Sequence, residues 1–510
     1  MEERQRFRPS TTCSVALKSV LLPLQKFGTF LLPTPLQRLL PDTISRSQAS
    51  SLPPTTSKAG EDSRRTTYLD GLRGVAAFIV FVSHYLKPWI ADLDYGYGCC
   101  NALADHKRFE GDVDGPLTTA GYGSRLIQLP IIRLIHSGPA MVTIFFIVSG
   151  YSLSLKPLKC IHERDWERFQ HALSSSVFRR SLRLFLPSIA SSLLVFVAVR
   201  LRLYSFPYDD GLMTGEVPVH PYRFDTFWQQ CQDYFRFVSI ALANPWTWEI
   251  IDCAYDSHLW TIAIEWKASM LLFLVMVGTA RVKAGVRLFG IGVGMVLYCY
   301  WWNAVHLRTQ SWEVGLFVTG MMMAEGDMLM QIRRTRRESG YKTMEYDDET
   351  RSSTRRRRSV PGCSKALISH FLRHAIFVAG LFLVSIPVQQ AESAPGYAWL
   401  ASIDDSVRHW QSLGAIMIVW SVGNEFLLEK IFSCAVARYL GQISFAMYLM
   451  HGPLLHSLGY SITVRFGLII GFPLVVLLLF WIADFFWRLV DVPCQAFAKR
   501  VERWCIVSFA

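Results

Sequence analysis

The sequence predicts an all-α protein, a polytopic membrane bundle of about ten transmembrane helices. Three observations predict it. Of 510 residues, 51% are hydrophobic and only 18% are charged, and the mean hydropathy is +0.25. A soluble chain carries about 25% charged residues, so the shortfall points to lipid and excludes extended disorder and a small disulfide-stapled module. Apolar segments then recur along the chain at the length a bilayer demands, roughly 20 residues for a core about 30 Å thick. Finally, the basic residues alternate with acidic ones from one interspan segment to the next. The formal charge of +12 would suit a nucleic-acid partner, but its cations lie in short runs between apolar spans, the pattern of a cytoplasmic membrane surface.

In order, the expected spans are 72–90, 138–155, 184–203, 259–278, 286–305, 312–330, 371–388, 407–428, 437–458 and 466–490. Lys156, Lys159, Arg164, Arg168, Arg179, Arg180 and Arg183 follow the second span, and Arg333, Arg334, Arg336, Arg337 and Arg355 to Arg358 follow the sixth. Asp209, Asp210, Glu216, Asp225, Asp233, Asp252 and Asp256 precede the fourth, and Glu392, Asp404 and Asp405 precede the eighth. The positive side faces the cytoplasm, which places both termini there.

Residues 1–66 form an N-terminal cytoplasmic tail rich in Ser, Thr and Pro, with a Leu-rich basic stretch over 15–40 broken by Pro23, Pro33 and Pro35. An interfacial segment or a flexible tail fits this better than a cleaved signal, and a transit peptide is a further reading. Residues 67–491 hold the transmembrane domain, with a charged linker at 331–365 expected to be disordered, and 492–510 form a cytoplasmic tail. No internal repeat and no Asn-x-Ser/Thr sequon is present. The eleven cysteines lack CxxC or Cys/His ligand spacing, so no metal site is expected. Cys99, Cys100, Cys231 and Cys253 fall in outer loops, where they either pair in an oxidising lumen or stay as thiols.

Ionisable groups at membrane depth are costly and point to function unless a partner explains them. Arg73 and His84 lie eleven positions apart in the first span, on nearly one helical face and about 16 Å apart along it. They mark two levels of one cavity, or else Arg73 snorkels and His84 is satisfied by a neighbouring helix. His258 and Glu265 share a face of the fourth span, about 10 Å apart. A carboxylate in lipid requires polar company, in a site or in a structural bond. Trp260 between them is a substrate contact or an interfacial anchor. Ser444, Tyr448 and His451 follow spacings of four and three, a polar stripe that either faces the site or glues helices together. His451 would then stand near the level of His84. Arg179, Arg180 and Arg183, in PheArgArgSerLeuArgLeuPheLeuPro, suit phosphates or anionic lipid headgroups.

Five stretches in register carry a resemblance: LeuAspGlyLeuArgGly followed by His84, PhePheIleValSerGlyTyr, ArgArgSerLeuArgLeuPheLeuPro, HisLeuTrpThrIleAlaIleGlu, and LeuGlyGlnIleSerPheAlaMetTyrLeuMetHis. Together, from Tyr68 to about Asp491, they resemble the acyltransferase-3 family of integral-membrane O-acyltransferases, in its fungal branch. The resemblance implies about ten helices, an acyl-CoA co-substrate, no permanently bound cofactor, and an Arg-x10-His pair, here Arg73 and His84, needed for acyl transfer. The sequence departs from the family at Lys267, where Gln is frequent, and nothing after Asp491 is long enough for the soluble hydrolase domain that bacterial members append.

The residues fit such chemistry. Arg73, Arg179, Arg180 and Arg183 would hold the donor's phosphates at the inner mouth. His84 is nominated as general base, with Glu265 orienting an imidazole or the acceptor, and His258 and His451 as alternative base or oxyanion donors. Tyr448, Ser444 and Trp260 are candidate acceptor contacts. Direct transfer and an acyl-histidine intermediate are both open. The expected reaction moves an acyl group, acetyl first, to a hydroxyl of a small metabolite or glycan, in the endoplasmic reticulum, another endomembrane or the plasma membrane. The competing class is a proton-coupled carrier using the same His/Glu groups, and a third is a binding protein without turnover.

Overall fold

In the computed structural model the described residues are 33–37, 66–98, 125–204, 213–216, 218, 220–244, 255–299, 312–348, 363–403 and 406–507. The principal helices are α1 (Thr67–Leu86), α2 (Gly138–Glu163), α3 (Trp166–Arg200), α4 (Phe227–Arg236), α5 (Trp260–Thr279), α6 (Trp312–Asp348), α7 (Cys363–Val384), α8 (Val407–Asn424), α9 (Phe426–Phe432), α10 (Ala435–Leu454), α11 (Tyr460–Phe486) and α12 (Val492–Val507). No strand occurs among the described residues; the sole β-type contact there is a bridge between Tyr95 and Gln389.

Small residues let the helices approach backbone to backbone, as membrane packing requires. α1 packs chiefly on α10, where a side chain at Gly74 would run into the backbone of Leu440 and Gly441, and one at Gly441 into the carbonyl of Asp70. α2 and α6 meet in the same way through Gly150 and Gly320. The α1/α10 contact carries two of the candidate histidines, so its tightness sets their separation. Gly74→Val is expected to lower stability by about 1–3 kcal/mol, read as an earlier thermal midpoint in detergent.

Two large apolar clusters, beside a smaller one around Tyr397, fill the interior. One joins chiefly α2, α5, α6 and α8, the other chiefly α3, α10 and α11, and α1 contributes to both. Phe145, Trp260 and Tyr448 pack against both, so the seam between the clusters runs past the candidate site. The outer surface is apolar: Phe371 is 76% exposed and Ile469 is 90% exposed. Such surface is stable only where lipid covers it. This is a membrane protein by that surface and by its helices.

Six described runs are long and apolar enough to cross a bilayer: Thr67–Leu86, Gly138–Glu163, Trp166–Arg200, Ser257–Thr279, Leu367–Val384 and Ala435–Cys505. The expected count of about ten is therefore not reached by this measure. The ninth and tenth expected spans lie within one helical run, α6 carries Glu313, Glu325 and Asp327, and Val286–Leu297 is short, with 300–311 outside the described residues.

Two segments flanking the spans are helical. Helix α6 continues through Gln331 to Asp348, so the first half of the linker expected to be disordered is helical. Its Arg, Glu, Lys and Met content favours a helix even without apolar periodicity. Residues 349–362 lie outside the described set. The last segment is likewise a helix, α12, packed on α3, with Arg179 of α3 3.3 Å from Glu502. Of 1–66, only 33–37 and Thr66 are described.

Candidate active site

The site forms where α1 ends, α5 begins and α10 passes between them. His84 sits in the last turn of α1, His258 in the short 3-10 turn Ser257–Leu259 that opens α5, and His451 in the last turn of α10. Their ring centroids are 4.1 Å apart for His84 and His258, 4.3 Å for His258 and His451, and 5.4 Å for His84 and His451. One nitrogen from each lies within 4.8 Å of the others.

Asp256 fixes the central ring. Its Oδ1 accepts from the backbone N–H of His258 at 3.0 Å and from His258 Nδ1 at 2.7 Å. One carboxylate oxygen thus caps the turn and orients the imidazole. Burial pushes the Asp256 carboxyl up, but His258, with His451 nearby, outweighs it and holds the group below its ordinary value. Because a carboxylate only accepts, His258 carries a proton on Nδ1, which in the neutral ring leaves the lone pair on Nε2.

His451 is set the same way. Its Nδ1 donates to the carbonyl of Tyr448 at 2.6 Å, which leaves Nε2 with the lone pair. That Nε2 is buried and has no hydrogen-bond partner among the described residues. Gly452 makes the approach possible, since a Cβ there would lie 2.8 Å from His258 Nδ1 and 3.1 Å from Asp256 Oδ1. The Tyr448 hydroxyl donates to the carbonyl of His258 and lies 2.7 Å from Thr261 Oγ1, tying α10 to the start of α5. His258 and His451 are 8% and 1% exposed, whereas His84 is partly buried.

Glu265 does not join them. Its Oε1 accepts from Arg180 at 2.7 Å and from Ser149 Oγ at 3.1 Å, and Arg180 Nε also donates to Ser269 Oγ at 3.0 Å. The acid expected to orient an imidazole serves an arginine of α3 instead, about two turns along α5 from His258. Arg73 and Arg183 lie within electrostatic reach of this pair, and Arg73 bonds Asp70 at 3.3 Å. Arg179 turns away toward Ser175 and Glu502. The four arginines thus make a group of three and an outlier.

The Arg180–Glu265 pair is mostly buried, with side chains 11% and 22% exposed. Glu265→Ala is expected to destabilise by roughly 3–5 kcal/mol by leaving Arg180 unpaired. Replacing both, with Arg180→Met and Glu265→Leu, should recover part of that loss in thermal unfolding.

Of the expected acceptor contacts, Tyr448 borders the imidazoles, Trp260 packs at the seam, and Ser444 donates to the carbonyl of Gly441 within its own helix. Trp228 is 69% exposed, Cys231 is a free thiol, and Cys99, Cys100, Cys253, Trp246 and Trp248 lie outside the described residues. Sequence reasoning missed two features. One is Asp256, whose Asp-x-His spacing was the available signal. The other is a group of rings in which Tyr204 stacks on His456 at 5.7 Å with His220 and Tyr460 beside them; His456 is within electrostatic reach of His84 and His258. At the far end of α1, a cavity of about 1090 Å³ is lined by Tyr68, Tyr151, Lys156, Asp327 and Arg334 among others, and by none of the three imidazoles.

An imidazole cluster with a carboxylate behind it, set in a lipid-facing helical bundle, suits proton transfer to or from a substrate oxygen. The chain matches the acyltransferase-3 family, described as an acyltransferase domain, over residues 66–488, and it belongs to that family. It is 28% identical over 498 residues to O-acetyltransferase PaAT-1 of Phomopsis amygdali, covering 91% of this chain and 90% of that one. Acyltransferase R4 of a Phoma species is 27% identical, covering 86% and 96%, and acyltransferase clz18 of Cochliobolus lunatus is 26% identical, covering 77% and 83%. No solved structure matches the chain. With this family and these relatives, the protein is an acyltransferase, and the carrier reading finds no support.

Proposed function

We propose that this acyltransferase moves an acyl group, acetyl first, from acyl-CoA to a hydroxyl of a small metabolite or glycan, with His84 as general base. The observation that carries the reading is the convergence of three imidazoles from three separate elements, with Asp256 orienting the middle one. The relative named as an O-acetyltransferase supports oxygen as the acceptor atom and acetyl as the group.

In this reading the acceptor hydroxyl attacks the thioester carbonyl as its proton passes to His84. A carbon–oxygen bond forms, the carbon–sulfur bond breaks, and the proton returns to the departing thiolate to give CoA. The imidazolium formed on His84 lies edge-on to His258, whose partner Asp256 supplies a fixed negative charge behind it. Arg73 and Arg183, with Arg180 held by Glu265, would receive the donor's phosphates. The rings of Tyr204, His220, His456 and Tyr460 suit a flat or apolar acceptor. The basic segments and both termini face the cytoplasm, where acyl-CoA is made.

The test is detergent-solubilised full chain incubated with acetyl-CoA and a panel of alcohols, following free CoA and the acetylated product. Acceptor-dependent release of both in equal amounts is expected. Absence of release with every donor and acceptor would overturn the proposal.

A further inference from the structure

We propose that His84, His258 and His451 also form a binding site for a borderline-soft divalent metal, Zn²⁺ above all, whose occupation arrests acyl transfer. The first half stands on geometry alone, and the second rests on the function proposed above.

Hydrogen bonding has already selected the ligand atoms. Asp256 holds His258 by Nδ1 and the Tyr448 carbonyl holds His451 by Nδ1, so each presents Nε2 with its lone pair. A metal-binding imidazole shows this arrangement, with one nitrogen donating to a carboxylate or carbonyl that fixes the tautomer while the other ligates. His451 Nε2 is fully buried, has no partner among the described residues and sits in the cluster. A buried orphan acceptor of this kind is costly unless something fills it.

The spacing is close to what an ion needs. In a tetrahedral site with bonds of about 2.0–2.1 Å, ligand nitrogens stand about 3.4 Å apart, and here one nitrogen of each ring lies within 4.8 Å of those of the other two. The rings belong to the ends of α1 and α10 and to a 3-10 turn, so small side-chain rotations close the remainder. Three imidazoles with a fourth position open suit Zn²⁺, Cu²⁺ or Co²⁺ and disfavour Mg²⁺ and Ca²⁺, which require oxygen ligands. Asp256 places a negative charge directly behind one ligand. An ion held here uses the His84 lone pair that would otherwise take the acceptor's proton, so metal and substrate proton compete for one nitrogen.

The experiment uses solubilised full chain, stripped with EDTA and desalted, titrated with CoCl₂ and then ZnCl₂. Expected is the visible absorption of four-coordinate Co²⁺, saturating at one ion per chain and displaced by Zn²⁺. His451→Ala and His84→Ala each remove a ligand and should abolish it. Asp256→Asn removes no ligand and should weaken binding by about 10–100-fold, which keeps the test sound if an alanine variant folds poorly. Acyl transfer should fall in step with occupancy and return with EDTA. No cobalt spectrum in the wild type, or one unchanged in these variants, overturns the metal site while leaving the proposed reaction untouched. Full occupancy with undiminished acyl transfer overturns the inhibition and the placement of the reaction at these imidazoles.

Discussion

His84→Ala is expected to lower kcat by about 10²–10⁴-fold, the ordinary contribution of a positioned general base. The ring stands partly buried at the end of α1, next to His258. In the proposed reaction its removal takes away the group that receives the acceptor's proton. His258 is held by Asp256, and His451 is buried behind it. Binding of the donor does not involve this ring, so KM for acyl-CoA should hardly move and the loss should fall on kcat. The thermal midpoint should stay near that of the wild type, because the ring is only partly buried. A variant that keeps full kcat would remove His84 as the base.

Asp256→Asn is the second large effect, about 10²–10⁴-fold in kcat, because in the proposed reaction the carboxylate supplies the charge behind the imidazole it orients. An asparagine oxygen in the place of Oδ1 can still accept from both the His258 backbone N–H and Nδ1, but the negative charge behind the imidazole is lost. Catalysis suffers although the fold is kept, and Asp256→Glu should recover part of it.

The same residue sets a pH dependence. Its folded pKa lies below the ordinary carboxyl value, so its contribution to stability is present above the unfolded pKa and is lost as pH falls through the folded one. Acid-side thermal unfolding of Asp256→Asn should lose that slope.

Much of this site was legible in the sequence because helical periodicity is enough to rank polar positions within apolar spans. His84, His258 and His451 stood out as ionisable groups at membrane depth, and the structure brings them together. Asp256 did not stand out. It lies just outside the span, among acidic loop residues, and its role depends on a 3-10 turn that folds its carboxylate back onto His258. Glu265 was visible but its arginine partner was not, since residues seven apart on a helix are simple to relate and an arginine of another helix is not. Long-range pairing of this kind is decided by helix packing, at contacts such as Gly74 with Gly441, for which periodicity carries no signal. The span count fell short of expectation for a similar reason. Charged residues in α6, such as Glu325, which bonds Arg287 at 2.6 Å and His162 at 3.0 Å, are satisfied by partners in other segments, so mean apolarity is a poor guide there.

The most direct measurement is a cryo-electron microscopy structure of the chain with a thioether analogue of acetyl-CoA, which cannot react. The account predicts the acyl carbon beside the His84 ring and the phosphates on Arg73 and Arg183. An analogue seated wholly in the cavity lined by Tyr68 and Asp327, with the three imidazoles untouched, would contradict it.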